Sequence, residues 1–318
     1  MHTLITVVLF LLGVLLIVKG GDWFVDAATW MAEVTGIPKF IVGATIVSLA
    51  TTLPELIVSA LASLEGKVDM AIGNAVGSVI ANTGLILAIS LLFMAGPVAR
   101  RQFNGKALLL IAATPALWLG CRSGRLTLMG SALVFVIFVA YIVENIIKTR
   151  EIVAYDATGA MEATTADKAD LPKNLVLFVA GTVGIVVGAR LLVDNGSELA
   201  RILGVPESII ALTFVAIGTS LPELVTTVTA IVKRQSSLSV GNIVGANIID
   251  MTMILPVCAA LSGGALTVGA QTIAIDLPAA LIVSLIALVP PMFTQRFYKW
   301  QGAALLAAYA GYLAIILV

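Results

Sequence analysis

Ten apolar runs separated by short polar turns occupy nearly the whole chain of 318 residues. A helix that crosses a membrane takes about 20 apolar residues, so such a chain is constrained to fold as a bundle of membrane helices. Charged residues make up 11% of the chain, against about a quarter in soluble domains. This composition excludes a soluble enzyme, a disordered chain and a nucleic-acid binder. The runs fall near 3–34, 40–64, 70–94, 105–120, 126–147, 173–192, 206–232, 237–261, 271–290 and 300–318.

One polar stretch, residues 149–172, interrupts this pattern. It is rich in Ala, Thr and Asp and has no hydrophobic period, which is typical of a surface linker. We therefore expect two five-helix units, residues 1–148 and 173–318, joined by this linker within one integrated membrane domain.

The two units repeat each other. Residues 20–88 align without a gap with residues 188–256, with about 22 identities in 69 positions that include paired Pro, Glu, Asn and Gly. Because five crossings per unit is an odd number, the second unit enters the membrane from the opposite side, as in many secondary transporters. We predict an all-α membrane protein of ten transmembrane helices, arranged as two inverted five-helix repeats with broken helices at the midplane.

Basic residues predict the orientation. Thirteen Lys and Arg residues follow odd-numbered runs, and five follow even-numbered runs. Positive charge marks the cytoplasmic side of a membrane protein. We expect a multi-pass protein of the plasma (inner) membrane with both termini outside and the linker in the cytoplasm.

Three carboxylates, Glu55, Glu223 and Asp250, lie well inside apolar runs. A charge at the bilayer centre costs about 2.5–3.5 kcal/mol on insertion scales. No Lys or Arg lies in the runs that hold them, so a cation from solution or a proton has to neutralise them. A protonated carboxyl bonded to backbone is the structural alternative, and it has most weight for Asp250.

The residues around both Glu side chains supply further oxygen atoms. Pro54 and Pro222 directly precede them, and proline frees backbone carbonyls by removing a helix donor. Hard oxygen ligands suit Ca²⁺ and Na⁺, and the lack of nearby Cys or His disfavours a transition metal. The hydroxyl residues three and four positions before each Glu, on the same helical face, are Thr51, Thr52, Thr219 and Ser220.

The second motif of each unit aligns Asn82 with Asp250, and Ser78 lies four residues before Asn82. Small residues spaced by four let helices approach closely. We expect a packing role rather than ligation for Gly73, Gly77, Gly241 and Gly245.

The segments TTLPEL with GNAVGSVIAN, and TSLPEL with GNIVGANIID, resemble the two alpha-repeats of the prokaryote-type sodium/calcium exchangers of the cation/calcium antiporter superfamily. The resemblance covers both units. It implies no enzymatic activity and no cofactor, but exchange of Na⁺ for Ca²⁺ across the lipid bilayer by alternating access, with the two ions as substrates and no obligate protein partner. By motif position it implies Glu55 and Glu223 as central ligands, completed by Asn82 and Asp250. It further implies hydroxyl or carbonyl ligands from Thr51, Thr52, Thr219 and Ser220, and backbone carbonyl ligands from Ser48 and Ala216.

Two positions depart from the family pattern. Ala50 stands where Gly is usual, and Ala246 stands where Ser is frequent, although its repeat partner Ser78 keeps the hydroxyl. Ser78 stays among the candidate ligands, and because Ala246 has no hydroxyl we expect one sodium position to be weakened or rebuilt.

Four alternatives remain at this point. The same carboxylates would serve a cation/H⁺ exchanger, such as a Ca²⁺/H⁺ exchanger, or a K⁺-dependent Na⁺/Ca²⁺ exchanger. A passive cation channel would use a ring of acids. An intramembrane hydrolase would need a nucleophile with a base, or metal ligands such as H-E-x-x-H, whereas the single histidine of the chain is His2.

Overall fold

The computed structural model describes residues 2–156, 168–205 and 218–317. Helices make up most of these residues. They are α1 (His2–Thr35), α2 (Lys39–Thr51), α3 (Leu53–Leu64), α4 (Val68–Met94), α5 (Arg100–Cys121), α6 (Leu128–Asp156), α7 (Leu171–Ile202), α8 (Leu221–Val232), α9 (Ser236–Leu261), α10 (Thr272–Thr294) and α11 (Lys299–Leu317).

These helices follow the predicted runs in order. Seven helices of the described part of the chain are long and apolar enough to cross a membrane, and α2 with α3 forms a further crossing bent by 42°. The bend falls at Thr52, two residues before Pro54, as expected for a proline that cannot donate to the carbonyl four residues back. The first half of the seventh run, residues 206–217, lies outside the described residues.

Two local features differ from the sequence prediction. Helix α6 continues to Asp156, and a 3-10 turn at Lys168–Asp170 leads into α7, so helix extends into both ends of the segment predicted as linker. A short antiparallel strand pair joins β1 (Arg125–Thr127) to β2 (Ala265–Thr267). Three-residue strands are too short to leave an alternating pattern in the sequence.

Helices α1 and α7 cross with close backbone contact through glycines. A Cβ atom at Gly13 would stand 2.9 Å from the carbonyl oxygen of Gly188, and one at Gly20 would stand 2.9 Å from that of Gly181. The residue numbers rise along α1 as they fall along α7, so the two helices are antiparallel. This is the relation that an inverted repeat requires of its first and sixth crossings.

Helix α2 packs against α9 in the same close manner, but in parallel. A Cβ at Gly241 would collide with the backbone of Phe40, and one at Gly245 with Ala44 and Ser48. The predicted packing role is therefore confirmed for Gly241 and Gly245.

The packing role of Gly73 and Gly77 stays a prediction. An added Cβ at either glycine would meet nothing within 4 Å among the described residues. At the repeat offset, the segment that would pack against them falls in residues 206–217, which lie outside the described residues.

The inner helices of the bundle are α4 and α9, with 72% and 83% of their 18-residue apolar segments buried. Each contains a π-helical turn at the same repeat position, Asn82–Leu87 in α4 and Asp250–Ile254 in α9. π-Helical turns are uncommon in proteins, and those that occur often lie at functional sites. They begin at the two polar residues that the repeat aligns.

Loops gather on two faces. On the first, which we call the basic face, Phe40, Pro97, Ser237 and Phe297 line one small cavity, so the ends that follow odd-numbered crossings lie together. On the second, the strand-pair face, β1 and β2 join the loops that follow the fourth and eighth crossings. This separation follows the predicted alternation of crossings.

Candidate functional site

Three buried carboxylates stand where helices break or widen in the middle of the bundle. Glu55 is the third residue of α3 and Glu223 the third residue of α8, each directly after its proline. Asp250 begins the π-helical turn of α9. Their exposed fractions are 1%, 0% and 0%. The two prolines and the π-helical turn thus place all three acids inside the protein.

None of the six carboxylate oxygens of these residues accepts a well-formed hydrogen bond within the described part of the chain. The charges of Glu223 and Asp250 act on Glu55, and that of Glu223 acts on Asp250, so the three groups are electrostatic neighbours. Burying a charge without a partner is costly. A cation or protons are needed to balance this group.

Hydroxyl groups from the first repeat surround the carboxylate of the second. Thr51 and Thr52 lie next to Glu223 without forming a well-shaped hydrogen bond to it. Both hydroxyls donate instead to the Ser48 carbonyl, at 3.3 Å and 2.6 Å, which also accepts the Thr52 N–H at 3.0 Å. The Ser48 carbonyl is thus already an acceptor for the Thr52 hydroxyl and N–H, and it shares the single Thr51 hydroxyl proton with the Asn242 side-chain oxygen.

Amides connect the two repeats beside the acids. Thr51 donates to the Asn242 side-chain oxygen at 3.1 Å, and the Asn242 amide donates to Thr226 at 3.0 Å. In the first repeat, Asn74 donates to the Glu55 carbonyl at 3.2 Å and to Ser59 at 2.9 Å. These contacts fix the half-helices α3 and α8 against α4 and α9.

Asn82 presents a free oxygen to the same region. Its amide donates to the Asn247 side-chain oxygen at 3.1 Å, and Asn247 in turn donates to Thr83 at 2.7 Å. The Asn82 side-chain oxygen is buried and accepts no hydrogen bond from the described residues. Asn247 was not among the candidate site residues. Its position three residues before Asp250, on the same helical face, is the signal that could have identified it.

The remaining candidates are placed less uniformly. Ser220 donates to Ser78 at 3.3 Å across the repeats, and both are buried. Thr219 is half-buried. Ala246 is fully buried, so the position lacks both a hydroxyl and water access. Ala216 lies outside the described residues.

This donor set is composed of hard oxygens. The described residues contain no tight group of three His, Cys, Asp or Glu side chains that would hold a metal ion by themselves. The acids are instead interleaved with hydroxyls and amides, and half-helix ends with a proline leave carbonyls such as that of Ala50 without a donor four residues on. Such a mixture fits Ca²⁺ or Na⁺ and not a soft transition metal.

Comparison with known proteins agrees with this chemistry. The model of the family "Sodium/calcium exchanger protein" matches residues 5–146 and 173–318. An uncharacterized membrane protein of Methanocaldococcus jannaschii is 31% identical over an alignment of 311 positions that covers 94% of each chain. A sodium/calcium exchanger of Methanosarcina acetivorans is 28% identical over an alignment of 361 positions that covers 97% of each chain. An inner membrane protein of Escherichia coli is 34% identical over 82% of this chain and 81% of its own.

A solved structure has the same fold. The sodium-calcium exchanger NCX_Mj, soaked with Na⁺ and Sr²⁺, matches with a TM-score of 0.83 at 28% identity, over 98% of this chain and 99% of that one. The predicted architecture of ten transmembrane helices in two inverted repeats is thereby confirmed, as is the prediction of a membrane antiporter rather than an enzyme. This chain is a multi-pass integral membrane protein that belongs to the sodium/calcium exchanger family.

Proposed function

We propose that this protein exchanges Na⁺ for Ca²⁺ across the inner membrane by alternating access. The observation that carries the proposal is the group of buried carboxylates of Glu55, Glu223 and Asp250, whose oxygens, with that of Asn82, accept no hydrogen bond from the described residues. Buried oxygens that accept no hydrogen bond are free to coordinate a hard cation. The relative from Methanosarcina acetivorans that carries the name sodium/calcium exchanger supports the choice of ions.

Competition for one anionic cage is the proposed mechanism. The cage carries two charges from the Glu pair and a third when Asp250 is ionised. Without a cation it resists being closed off from water, because unpaired charge is expensive in a medium of low dielectric constant. One Ca²⁺ or several Na⁺ balance the charge, so the protein closes around either load. Because closure requires a load, the two ions exchange and do not leak.

Individual residues take distinct proposed roles. Glu55 and Glu223 are the central ligands, Asp250 and Asn82 complete the cage, and Thr52 adds an oxygen near Glu223. Further proposed oxygens come from Thr51, Thr219, Ser220, Ser78 and the carbonyls of Ser48 and Ala216. The Ser48 carbonyl has to release a hydrogen bond from Thr51 or Thr52 before it can bind an ion.

Proton-coupled exchange of Ca²⁺ or another cation is the second candidate. Ala246 favours it, because this fully buried position, four residues before Asp250, offers no hydroxyl oxygen to a sodium ion. The same carboxylates would then carry protons in place of Na⁺. The sodium/potassium/calcium exchanger 1 of mouse is 34% identical over 83 residues, which is 26% of this chain, so K⁺ also belongs among the ions tested.

Uptake of Ca²⁺ into proteoliposomes preloaded with Na⁺ tests the proposal. External Na⁺, K⁺ and pH are varied for the wild type, Glu55→Gln and Glu223→Gln, with Glu33→Gln as control, because Glu33 is a surface acid paired with Lys39. We expect uptake that needs the Na⁺ gradient, is lost in both site variants and persists in the control. Uptake driven by a pH gradient alone would favour proton coupling, and active vesicles without gradient-driven uptake would contradict exchange of Ca²⁺.

A further inference from the structure

An ion-pair cluster ties the two repeats together on the basic face. Lys233, which caps the C-terminal end of α8, lies 2.9 Å from the Asp26 carboxylate and 3.4 Å from that of Asp22, both on α1. At Gly21, the residue before Asp22, an added Cβ atom would stand 2.7 Å from the Thr229 hydroxyl of α8. Helix α8 is thus closed against α1 at this face.

The repeat assigns an equivalent set of residues to the opposite face. At the offset that pairs Glu55 with Glu223, Lys233 corresponds to Glu65, Asp22 to Arg190 and Asp26 to Asp194. Glu65 caps the C-terminal end of α3, as Lys233 caps that of α8. The charges of the first two positions are reversed, so an attraction between the halves is retained.

These equivalent residues are apart in this structure. Glu65 pairs with Lys67 of its own turn at 2.7 Å, and Arg190 approaches Asp194 of its own helix at 3.8 Å. Packing shows the same contrast. Val225 on α8 is 9% exposed, whereas its repeat partner Ile57 on α3 is 56% exposed. Helix α3 is therefore not closed against α7 in the way that α8 is closed against α1.

Local structure does not account for this difference. The turn after α3 and the turn after α8 have the same hydrogen bond, from Lys67 N–H to the Ala62 carbonyl at 2.8 Å and from Gln235 N–H to the Ala230 carbonyl at 2.7 Å. Both turns use a positive φ at the second residue, 73° at Gly66 and 57° at Arg234. The two copies are alike within themselves and differ in how they lie against the long helices α1 and α7.

We propose that Lys233 with Asp22 and Asp26, and Glu65 with Arg190, are alternating latches that close opposite faces of the protein in turn. An inverted repeat reaches its second state when the two copies exchange their arrangements. In that state the Lys233 cluster opens, and Glu65 leaves Lys67 to pair with Arg190. This inference rests on the proposed alternating access, and it adds the residues that set the balance between its two states.

The two latches differ in strength. Lys233 faces two carboxylates, and although burial lowers its pKa, the hydrogen bond and charge of Asp26 outweigh burial and raise the pKa. Arg190, in contrast, lies near Asp194 of its own helix at 3.8 Å, so in the second state Glu65 has to share it with Asp194. Glu65 also stands at the negative end of the α3 dipole, where an acid is unfavourable. The latch on the basic face is therefore the stronger one, which agrees with its being the one that is closed.

Thiol cross-linking tests the proposal without any measurement of transport. Both latches join the first half of the chain to the second, so a cross-link keeps the halves together after cleavage at a protease site introduced within residues 157–167. Two cysteine pairs are compared in membranes, Asp26→Cys with Lys233→Cys and Glu65→Cys with Arg190→Cys. The native Cys121 and Cys258, both buried, are replaced by Ala.

We expect both pairs to cross-link, and each link to suppress formation of the other in a chain that carries all four cysteines. A Glu65–Arg190 pair that never links while the basic-face pair does would overturn the proposal. Full formation of both links in one molecule would also overturn it. Na⁺/Ca²⁺ exchange could fail in proteoliposomes while the links still alternate, so the two proposals are tested separately.

Charge variants give a second, independent test. Lys233→Ala is expected to raise linking of the Glu65–Arg190 cysteine pair about two- to fivefold, the range for a partly exposed ion pair. Asp194→Asn removes the acid that competes with Glu65 for Arg190, so it should favour the second state. Linking of the Asp26–Lys233 cysteine pair is therefore expected to fall. Lys39→Ala is the control, since Lys39 pairs with Glu33 at 3.1 Å within the first repeat and should change neither. Equal effects of the control and the variants would contradict the latch.

Discussion

At the scale of single residues, the sequence predicts which acids are buried but not which hydrogen bonds form around them. The positions of Glu55, Glu223 and Asp250 inside apolar runs predict buried acids, and the structure buries all three. The hydrogen bonds from Asn82 to Asn247 and from Thr51 to Asn242 could not be predicted, because they connect residues of different repeats. A sequence gives the spacing of side chains along one helix, but not the contacts across two.

Ala246→Ser is a prediction at the residue scale. It places a hydroxyl four residues before Asp250, at the position where the aligned Ser78 has one. An interaction with one added neutral oxygen contributes about 0.5–1.5 kcal/mol of binding free energy. The half-saturating Na⁺ concentration is therefore expected to fall by about two- to tenfold. The measurement is Ca²⁺ uptake as a function of internal Na⁺.

Ala259→Ser is the matched control, because Ala259 is also fully buried in α9 but lies beyond the π-helical turn. It should leave the Na⁺ dependence unchanged. An Ala246→Ser protein with wild-type Na⁺ dependence would place the sodium ions away from this position.

At the scale of single helices, the sequence predicts the proline break but not the π-helical turns. The proline break before α3 follows from one residue type, and the observed bend of 42° agrees with it. The π-helical turns at Asn82 and Asp250 have no comparable sequence signal, since one extra residue in a turn leaves the apolar pattern almost unchanged. The repeat helps here, because both turns begin at aligned positions.

Pro54→Ala is expected to stabilise the helix and to impair transport. The new N–H can bond to the Ala50 carbonyl, so α2 and α3 can approach one continuous helix and Glu55 turns away from Glu223. The measurement combines Ca²⁺ uptake with the unfolding temperature in detergent. Pro115→Ala is the control, because Pro115 lies inside α5, a helix without a candidate ligand. Unimpaired uptake by Pro54→Ala would show that the break is not needed for exchange.

A buried ion pair joins α5 to α6, and the count of basic residues along the sequence did not predict it. Lys106 is one of the thirteen basic residues assigned above to loops after odd-numbered runs, but it lies inside α5 with 0% of its side chain exposed and pairs with Glu144 of α6 at 2.5 Å. Both residues lie on membrane-crossing helices. A fully buried lysine needs an acid to balance its charge, and sequence spacing does not reveal an acid that lies on another helix.

Lys106→Met is therefore expected to destabilise the protein by about 3–5 kcal/mol, because it leaves Glu144 unpaired. The double variant Lys106→Met with Glu144→Gln should recover most of this loss, since no charge is then left behind. Thermal unfolding in detergent measures both. Lys39→Met, at an exposed pair with Glu33, should cost at most about 1 kcal/mol. A double variant as unstable as the single one would mean that Lys106 acts mainly through packing.

At the scale of the whole molecule, the inverted repeat was the most informative property of the sequence. An odd number of crossings per copy requires antiparallel first and sixth crossings, and the order of glycine contacts from Gly13 to Gly188 and from Gly20 to Gly181 shows this relation. The unequal closure at Lys233 and at Glu65 could not be predicted, because two aligned copies look equivalent in sequence. A structure of one state has to show which copy is closed.

Orientation in the membrane is the last prediction, and it decides which latch faces the cytoplasm. Thirteen of the basic residues follow odd-numbered crossings, and even without Lys106, which is inside α5, the excess over the five on the other side remains. Positive loops stay in the cytoplasm. We therefore expect the basic face inside, so that the closed Lys233 cluster seals the cytoplasmic side and this structure is open toward the outside.

Two matched cysteine variants measure it. Ser123→Cys lies on the strand-pair face and Ser237→Cys on the basic face, and both serines are exposed. A membrane-impermeant thiol reagent should label Ser123→Cys in intact cells, and Ser237→Cys only after the cells are permeabilised. The reverse pattern would place the termini inside and would make the Lys233 cluster an external latch. Because the latch proposal concerns alternation and not direction, it would stand in either orientation, whereas the assignment of this structure as outward-facing would not.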